Sequence, residues 1–439
     1  MKSLVRPLLL MSAVFTTLNG LADCYDPMDP NGNITITFDI YMWKDDGYMA
    51  RVTIQNYQLY RHVDKPGWQL GWTWARDEVI WSISGAYATQ MGNCSSFKDN
   101  IPHSCQKSPI IHDLPDSSRE DRSEYCCRDG VLSAWAVDPS KSLSSFDIQV
   151  GNLEHNTRGY PPLNLSLMAP GPGYSCSPVV DADPTVSSDI GGRREVQVFR
   201  TWKSTCVYSS FLAKQTPACC VSLSSFYDPR ITSCPNCSCG CKETAQKIES
   251  CISEGDELSP SDALLNSDIL QCTDHNCPIR VHWHVKNNYF KYWRVKLTVS
   301  NLNYKRNYSN WNVLVQHPGF SQNTTIYSFN SSLLPTVGIE DKIALFWGID
   351  YYNEKLLQAM KEQLGSVTTD VILEKDLNSF TLKNGWAFPR KIYFNGEDCH
   401  MPLPDQFPKL PNGSSNLQAC TCLFTCIITL CLVLLFAQV

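Results

Sequence analysis

Cys219, Cys220, Cys234, Cys237, Cys239 and Cys241 crowd into residues 218–241, ACCVSLSSFYDPRITSCPNCSCGC. The last four have the spacing of metal thiolates as well as the density of a disulfide staple. His282 and His284 stand at i and i+2 on one strand-like run, where two imidazoles can share a metal. No third histidine or carboxylate shares that run, so a hydrogen-bonded surface pair is the reading taken. Asp45-Asp46 and Asp77-Glu78 are adjacent carboxylates in turn-like contexts. A glycosidase needs two carboxylates facing each other across the bond, so these read as solvated turn charges. The sequence has no G-x-S-x-G, Walker loop or H-E-x-x-H, which leaves nucleophile-elbow, nucleotide and common zinc-hydrolase chemistry without support.

The aromatic residues offer a different chemistry. Ile34, Ile36, Phe38, Ile40 and Met42 alternate with polar partners, the period of a strand with one buried face. On that register Tyr41 and Trp43 project from the opposite, wet face. Large rings there suit a sugar, because the C–H face of a β-linked glucan is flat and apolar and can lie against an aromatic ring. Trp68, Trp72 and Trp74 share one face with Leu70 at even spacing, so some of them belong to a core. Trp72 is placed inside, Trp43 is the exposed binding ring, and Trp68 sits at the rim beside the Pro66-Gly67 turn. The competing reading is that a loop or second domain covers Tyr41 and Trp43.

These rings need strands to hold them. Alternation recurs at Ala50 to Ile54, Phe146 to Val150 and Leu163 to Leu167, separated by turn signals such as Asp45-Asp46-Gly47, Lys65-Pro66-Gly67 and Pro170-Gly171-Pro172-Gly173. It returns at Val281 to Val285, Trp293 to Val299, Trp311 to Val315 and Ile343 to Ile349. The expected fold is mainly β: two antiparallel β-sandwiches joined by a cysteine-rich, disulfide-stapled segment and an acidic linker. The expected boundaries are 23–185 for the first sandwich, 186–241 for the cysteine-rich region, 242–277 for the linker and 278–404 for the second sandwich. Cys251, Cys272 and Cys277 are expected to tie the linker down.

Both ends specify a compartment. Residues 1–22 have basic residues, an apolar run and a small-residue end, the layout of a secretory signal. At the other end a stalk, 405–412, leads to a polar spacer from Gly413 to Thr421 and an uncharged apolar stretch from Leu423 to Val439. That order reads as a glycosylphosphatidylinositol (GPI) signal, with Asn412 as attachment residue and 413–439 removed. Roughly 390 residues then remain, enough for two or three domains. The protein is expected on the outer face of the plasma membrane, where cysteines oxidise, so disulfides are preferred to a metal and no cofactor is expected. Of 21 cysteines four leave with the tail. The odd number left points to cleavage after Cys24 or to an unpaired Cys24. Asn33, Asn93, Asn164, Asn236, Asn307, Asn323 and Asn330 are sequons of the mature chain. A net charge of −6 without a basic stripe argues against nucleic acid.

YDPMDPNGNITITFDI, GWQLGWTWARDEVIWSISGA, CCVSLSSFYDPRITSCPNCSCGC, IRVHWHVKNNYFKYWRVKLTVSNLNY and GWAFPRKIYFNGEDCHMP together resemble the plant COBRA family over nearly the whole mature chain. The resemblance implies a GPI-anchored wall protein that binds crystalline cellulose through an N-terminal carbohydrate-binding-like module. It also implies support of microfibril assembly or orientation during expansion or wall thickening, without catalysis. Its binding aromatics are expected in the stretch that here holds Tyr41, Trp43, Trp68, Trp72 and Trp74. Cys24 and the charged run Asp113 to Tyr125 depart from the family pattern. An adhesion or signalling protein that contacts another wall or surface protein is the alternative.

Overall fold

The computed structural model describes residues 26, 28–115, 125–153, 159–188, 195–213, 219–233, 251–252, 270–271, 277–321, 323–335, 342–360, 365–375 and 387–410. The expected signal, Cys24, Cys234, Cys237, Cys239, Cys241, Asn236, Asn412 and the removed tail lie outside them, as does most of the linker. The described residues form strands and short 3-10 turns. The chain divides into two compact units. One takes Met1–Thr216 with the later segments Tyr308–Val313 and Asn395–Glu397; the other takes Pro217–Asn307, Leu314–Phe394 and Asp398–Val439.

The earlier strands are β1 (Ile34–Lys44), β2 (Gly47–Asn56), β3 (Gln69–Thr73), β4 (Val79–Ser84), β5 (Ala86–Ala88), β6 (Ile110–Asp113) and β7 (Leu143–Gly151). They continue with β8 (Leu163–Met168), β9 (Tyr174–Cys176), β10 (Val180–Ala182), β11 (Val186–Ser188), β12 (Glu195–Gln197) and β13 (Arg200–Tyr208). The large sheet runs β10-β13-β1-β2-β7-β4, with β9 also on β13, and the smaller runs β5-β6-β3-β8. Alternation works as the sequence suggests: Ile36, Phe38, Val52, Ile54, Phe146 and Ile148 are buried on the inner face of the large sheet. Trp68, Leu70 and Trp72 meet them from the smaller sheet. Phe38 takes Trp72 edge-on at 5.6 Å, and Trp68 stacks on Phe146 at 5.8 Å. This is a sandwich core closed by large rings.

The later strands are β14 (Cys219–Ser225), β15 (Cys251–Ile252), β16 (Leu270–Gln271), β17 (Ile279–Asn288), β18 (Tyr292–Asn301) and β19 (Asn312–Gln316). After them come β20 (Thr324–Ile326), β21 (Asn330–Leu334), β22 (Ile343–Trp347), β23 (Gly365–Glu374), β24 (Lys391–Phe394) and β25 (Glu397–Asp398). Their sheets run β14-β17-β18-β23-β20 and β21-β22-β19-β24-β25. Val281, Trp283, Val295, Leu297, Val299 and Val371 are buried, and the Trp283 indole donates to the Ala387 carbonyl at 2.8 Å.

The two units repeat one topology. The order β1-β2-β7-β4 over β5-β6-β3-β8 reappears as β17-β18-β23-β20 over β21-β22-β19-β24, strand for strand in chain order. The register repeats as well. Ile34 pairs with Asn56 and Ile40 with Ala50; at one constant step along the chain, Ile279 pairs with Asn301 and Val285 with Val295. Each hairpin then carries a bulge at the same place, between Ile40 and Met42 and between Val285 and Asn287.

The region expected as a separate cysteine-rich segment, 186–241, is divided among the sheets. β13 pairs antiparallel with β1, and Cys206 at its end is bonded to Cys176. β14, which carries the CCVS residues, lies parallel to β17, a departure from the all-antiparallel expectation. Cys219 is bonded to Cys399, 180 residues away, instead of to a neighbour in the local knot. Cys220 is buried against Cys277, which is itself disulfide-bonded. The other bonds join Cys94 to Cys105 and Cys126 to Cys127.

Candidate functional site

Three of the five rings expected to bind sugar are interior. Trp68, Trp72 and Trp74 are 1, 2 and 1% exposed, which agrees with the core placement of Trp72 and removes Trp68 and Trp74 from any binding face. The reason is the sheet they line: its inner face packs on Phe38 and Phe146, leaving no wet side at those positions. The bulge decides Tyr41 and Trp43. With Ile40 opposite Ala50 and Met42 opposite Met49, Tyr41 is the extra residue, and every side chain after it changes face. Trp43 therefore sits opposite buried Tyr48, its ring 5.8 Å away, and packs at the rim of the core beside Gly159. Met42 takes the outward position and is 46% exposed.

Tyr41 stays half-exposed beside Arg51 and Asp147 on the outer face of the large sheet; burial, then the Asp147 charge, raises its phenol above the ordinary value. The phenol thus remains a neutral donor. Arg51 and Asp147 face each other across β2 and β7 and bond at 3.0 and 3.3 Å. Along the same face run Thr37 opposite Thr53 and Thr35 opposite Gln55, whose amide donates to the Ser142 hydroxyl at 2.7 Å. Tyr57 continues this row just beyond β2. Its ring lies 5.2 Å from that of Trp135, tilted by 45°, and the two are 44 and 36% exposed. Six residues of strand separate Arg51 from Tyr57, about 20 Å.

Neither Tyr57 nor Trp135 stands out in the sequence, because both lie on loops that carry no periodicity. The signal that places them is Asn56, fully buried at the end of β2. Its amide donates to the carbonyls of Arg61 and Ser133 at 2.9 and 3.0 Å, and its oxygen accepts from Gln58 N–H at 3.1 Å. One side chain thereby fixes both loops. Two titratable groups assist: Asp29 accepts from Leu59 N–H at 2.7 Å, and His62 Nδ1 accepts from Ala134 N–H at 2.8 Å. Burial pushes the Asp29 carboxyl up to about 6 and the His62 imidazole down to about 4. Buried Arg61, in the same loop, lies over the Tyr208 ring at 3.5 Å and pairs with Glu397 at 2.5 Å. Burial disfavours its charge, yet Glu397 and the neighbouring tyrosines hold its pKa raised, so it is always a cation.

Among the remaining candidates, Glu78 departs from the solvated turn charge expected of it, being only 3% exposed, whereas Asp77 fits that expectation. Asp46 accepts the backbone N–H groups of Asn152 and Leu153, buried Glu78 accepts Arg76 N–H at 2.6 Å, and Asp77 is exposed near Lys107. His282 and His284 form the hydrogen-bonded pair expected of them. Ser222 meets His282 Nδ1 at 2.6 Å, and Ser224 meets His282 Nε2 and His284 Nδ1 at 2.9 and 2.7 Å. Among the sequons, Asn93, Asn164, Asn307 and Asn323 are exposed, and Asn33 is half-buried opposite Tyr57, whose N–H it accepts at 2.8 Å. Asn330 is also half-buried, its amide donating to Gly348 O at 2.9 Å.

The face so built can hold a flat, hydroxyl-rich chain: rings at both ends for C–H surfaces, threonines, glutamine and an Arg–Asp pair between them for hydroxyls. Comparison with known proteins agrees with the division into two units. The family model of the COBRA N-terminal domain matches residues 48–209, and that of the COBRA family C-terminal domain matches residues 218–408. COBRA-like protein 1 of Oryza sativa subsp. japonica is 48% identical over 418 residues, 93% of each chain. COBRA-like protein 2 of Arabidopsis thaliana is 49% identical over 410 residues, 92% of this chain and 91% of the relative. Protein COBRA of Arabidopsis thaliana is 46% identical over 420 residues, 93% of this chain and 91% of the relative. Two domain models in tandem and near-full-length identity at this level show that the chain belongs to the COBRA family.

Proposed function

We propose that this protein is a non-catalytic, GPI-anchored protein of the plasma membrane and wall interface that binds cellulose and supports microfibril assembly or orientation. The observation that carries this reading is the outer face of the large sheet, with Tyr41 at one end, the Tyr57–Trp135 pair at the other and hydrogen-bonding side chains between them. Each stacked ring contributes on the order of 1 kcal/mol, so ring contacts in line give useful affinity only together. A lipid at Asn412 would confine many copies to one surface and let weak sites act jointly. Of the carboxylates nearest the aromatic strands, Asp46 and Glu78 are engaged by backbone N–H groups, which favours holding a glycan over cleaving it.

The test is retention of the secreted chain on crystalline cellulose at high salt, beside Tyr57→Ala/Trp135→Ala. Stacking is barely screened, so retention should persist in salt and fall at least about ten-fold in the double variant, the loss of roughly 1.4 kcal/mol. Equal retention of the two proteins would move binding off this face. Mass spectrometry of the peptide ending at Asn412 tests the anchor separately.

A further inference from the structure

The repeat of one hairpin by the other brings the outward residues of the two large sheets into correspondence. Where β1, β2 and β7 carry Thr35, Tyr41, Arg51 and Asp147, the matching positions of β17, β18 and β23 carry Arg280, Lys286, Lys296 and Asp370. Arg294 is outward too, where the first hairpin has Met49. The second face therefore presents four basic side chains against two carboxylates, Asp370 at its centre and exposed Glu374 at the end of β23, in a chain whose net charge is −6. Lys286 and Arg294 reach Asp370 at 3.2 and 2.5 Å, which fixes both side chains in place. Lys296 is exposed, and the buried Nε of Arg280 has no acceptor among the described residues.

Between the cations stand groups suited to a sugar. Thr298 and Thr368 share a hydroxyl contact at 3.1 Å, and the imidazoles of His282 and His284 lie nearly parallel, 13° apart, backed by Ser222 and Ser224. From Arg280 to Lys286 the row covers six residues of strand, about 20 Å, the same footprint as the first face. Cations at intervals along such a row match a chain with regularly spaced carboxylates, which arginine grips as a fork and lysine as a point charge.

We propose that this face of the second unit binds an acidic polysaccharide whose sugars carry carboxylates, a polyuronate. The choice of a polysaccharide rests on the cellulose reading of the first unit; the choice of a polyanion rests on the charges alone. One fold thus presents a neutral face and a basic face.

The test uses the full secreted chain on immobilised polygalacturonate and on the same polymer fully methyl-esterified, at low and high salt. Binding is expected to the acid form only, to weaken steeply with salt, and to fall at least about ten-fold in Lys296→Glu, which reverses an exposed charge without touching the core. Tyr57→Ala/Trp135→Ala should bind polygalacturonate as wild type does, and Lys296→Glu should keep the wild-type response to cellulose. Equal binding of the esterified polymer, or unchanged binding of Lys296→Glu, overturns the proposal. Competition by polyglutamate as strong as by the sugar polymer overturns its polysaccharide part. Failure to bind cellulose alone would refute the reading of the first face and leave the polygalacturonate result standing.

Discussion

Replacing Asp29 by asparagine should make the protein more stable at neutral pH and leave it unchanged in acid. Asp29 is buried under the loop that carries Tyr57, and its carboxyl titrates near 6 instead of the ordinary 3.8. Below 3.8 the folded and unfolded chains both carry it protonated, and its contribution to folding is complete. As pH rises the unfolded chain releases the proton first, and folding stability is lost through pH 6. A shift of this size corresponds to about 3 kcal/mol at neutral pH. Asparagine has no proton to lose and can still accept from Leu59 N–H. The difference between Asp29→Asn and wild type should therefore be near zero at about pH 3.5 and reach about 3 kcal/mol at pH 7.5, a rise of about 6–12 °C in Tm for a unit of this size. His62 acts in the opposite direction. With its imidazole held down to about 4, its contribution is present above 6.5 and lost as pH falls through 4. Wild type should thus be nearly flat between pH 6.5 and 4, where the two terms oppose each other, whereas Asp29→Asn should lose stability on acidification over that range. Thermal melts of the secreted proteins across pH 3.5–7.5 measure both curves. A difference that is independent of pH would mean that burial leaves the carboxyl unshifted, and one largest in acid would mean that the fold prefers the carboxylate; either would refute the argument.

Two further outcomes follow from packing and covalent structure. Trp72→Ala should cost about 3–5 kcal/mol, since it empties a site walled by Phe38 and Trp74, whereas Trp43→Ala at the core rim should cost less than half as much; urea melts of the two variants rank them. Cys219→Ser with Cys399→Ser removes the bond that closes 180 residues of chain and should lower stability by about 2–5 kcal/mol. Reduced secretion, with the other disulfides intact by non-reducing mass spectrometry, is the expected readout.

What could be read from the sequence was whatever obeys a period. The inward rows Ile34 to Ile40 and Val281 to Val285 lie where alternation puts them, and so does Trp72. The errors begin where the period breaks. A bulge adds one residue and leaves no mark in composition, so strict alternation puts Trp43 on the wrong face and Met42 in the core. Trp68 and Trp74 obey the same period as Trp72, and only the opposing sheet, with Phe146 and Phe38 on its inner face, shows that all three are inside. Tyr57 and Trp135 belong to no period; a single buried asparagine orients them, through hydrogen bonds that spacing does not reveal. Cys219 looked like a member of the local knot, but β14 delivers it to Cys399 across the fold.

The duplicated sandwich was hidden for a related reason, and it explains how one fold can carry two chemistries. In the two hairpins the inward positions are apolar in both, Phe38 and Val52 against Trp283 and Leu297, so each closes a core by the same rule. The outward positions take no part in that rule. Tyr41 and Lys286 occupy the same place at the same bulge, one a ring and the other an ammonium, and either is compatible with the hairpin because a strand fixes direction without fixing side-chain type. Asn56 and Asn301 perform the same task at the strand ends, each donating to a carbonyl five residues on, Arg61 at 2.9 Å and Arg306 at 2.7 Å. The device that holds Tyr57 in the first unit therefore holds Leu302 in the second, buried and without a ring to offer. If ring stacking were the task of both faces, that position should be aromatic and exposed in each. It is so only in the first; the second face, built on the same frame, carries basic side chains, Arg280 and Lys286, where the first carries Thr35 and Tyr41.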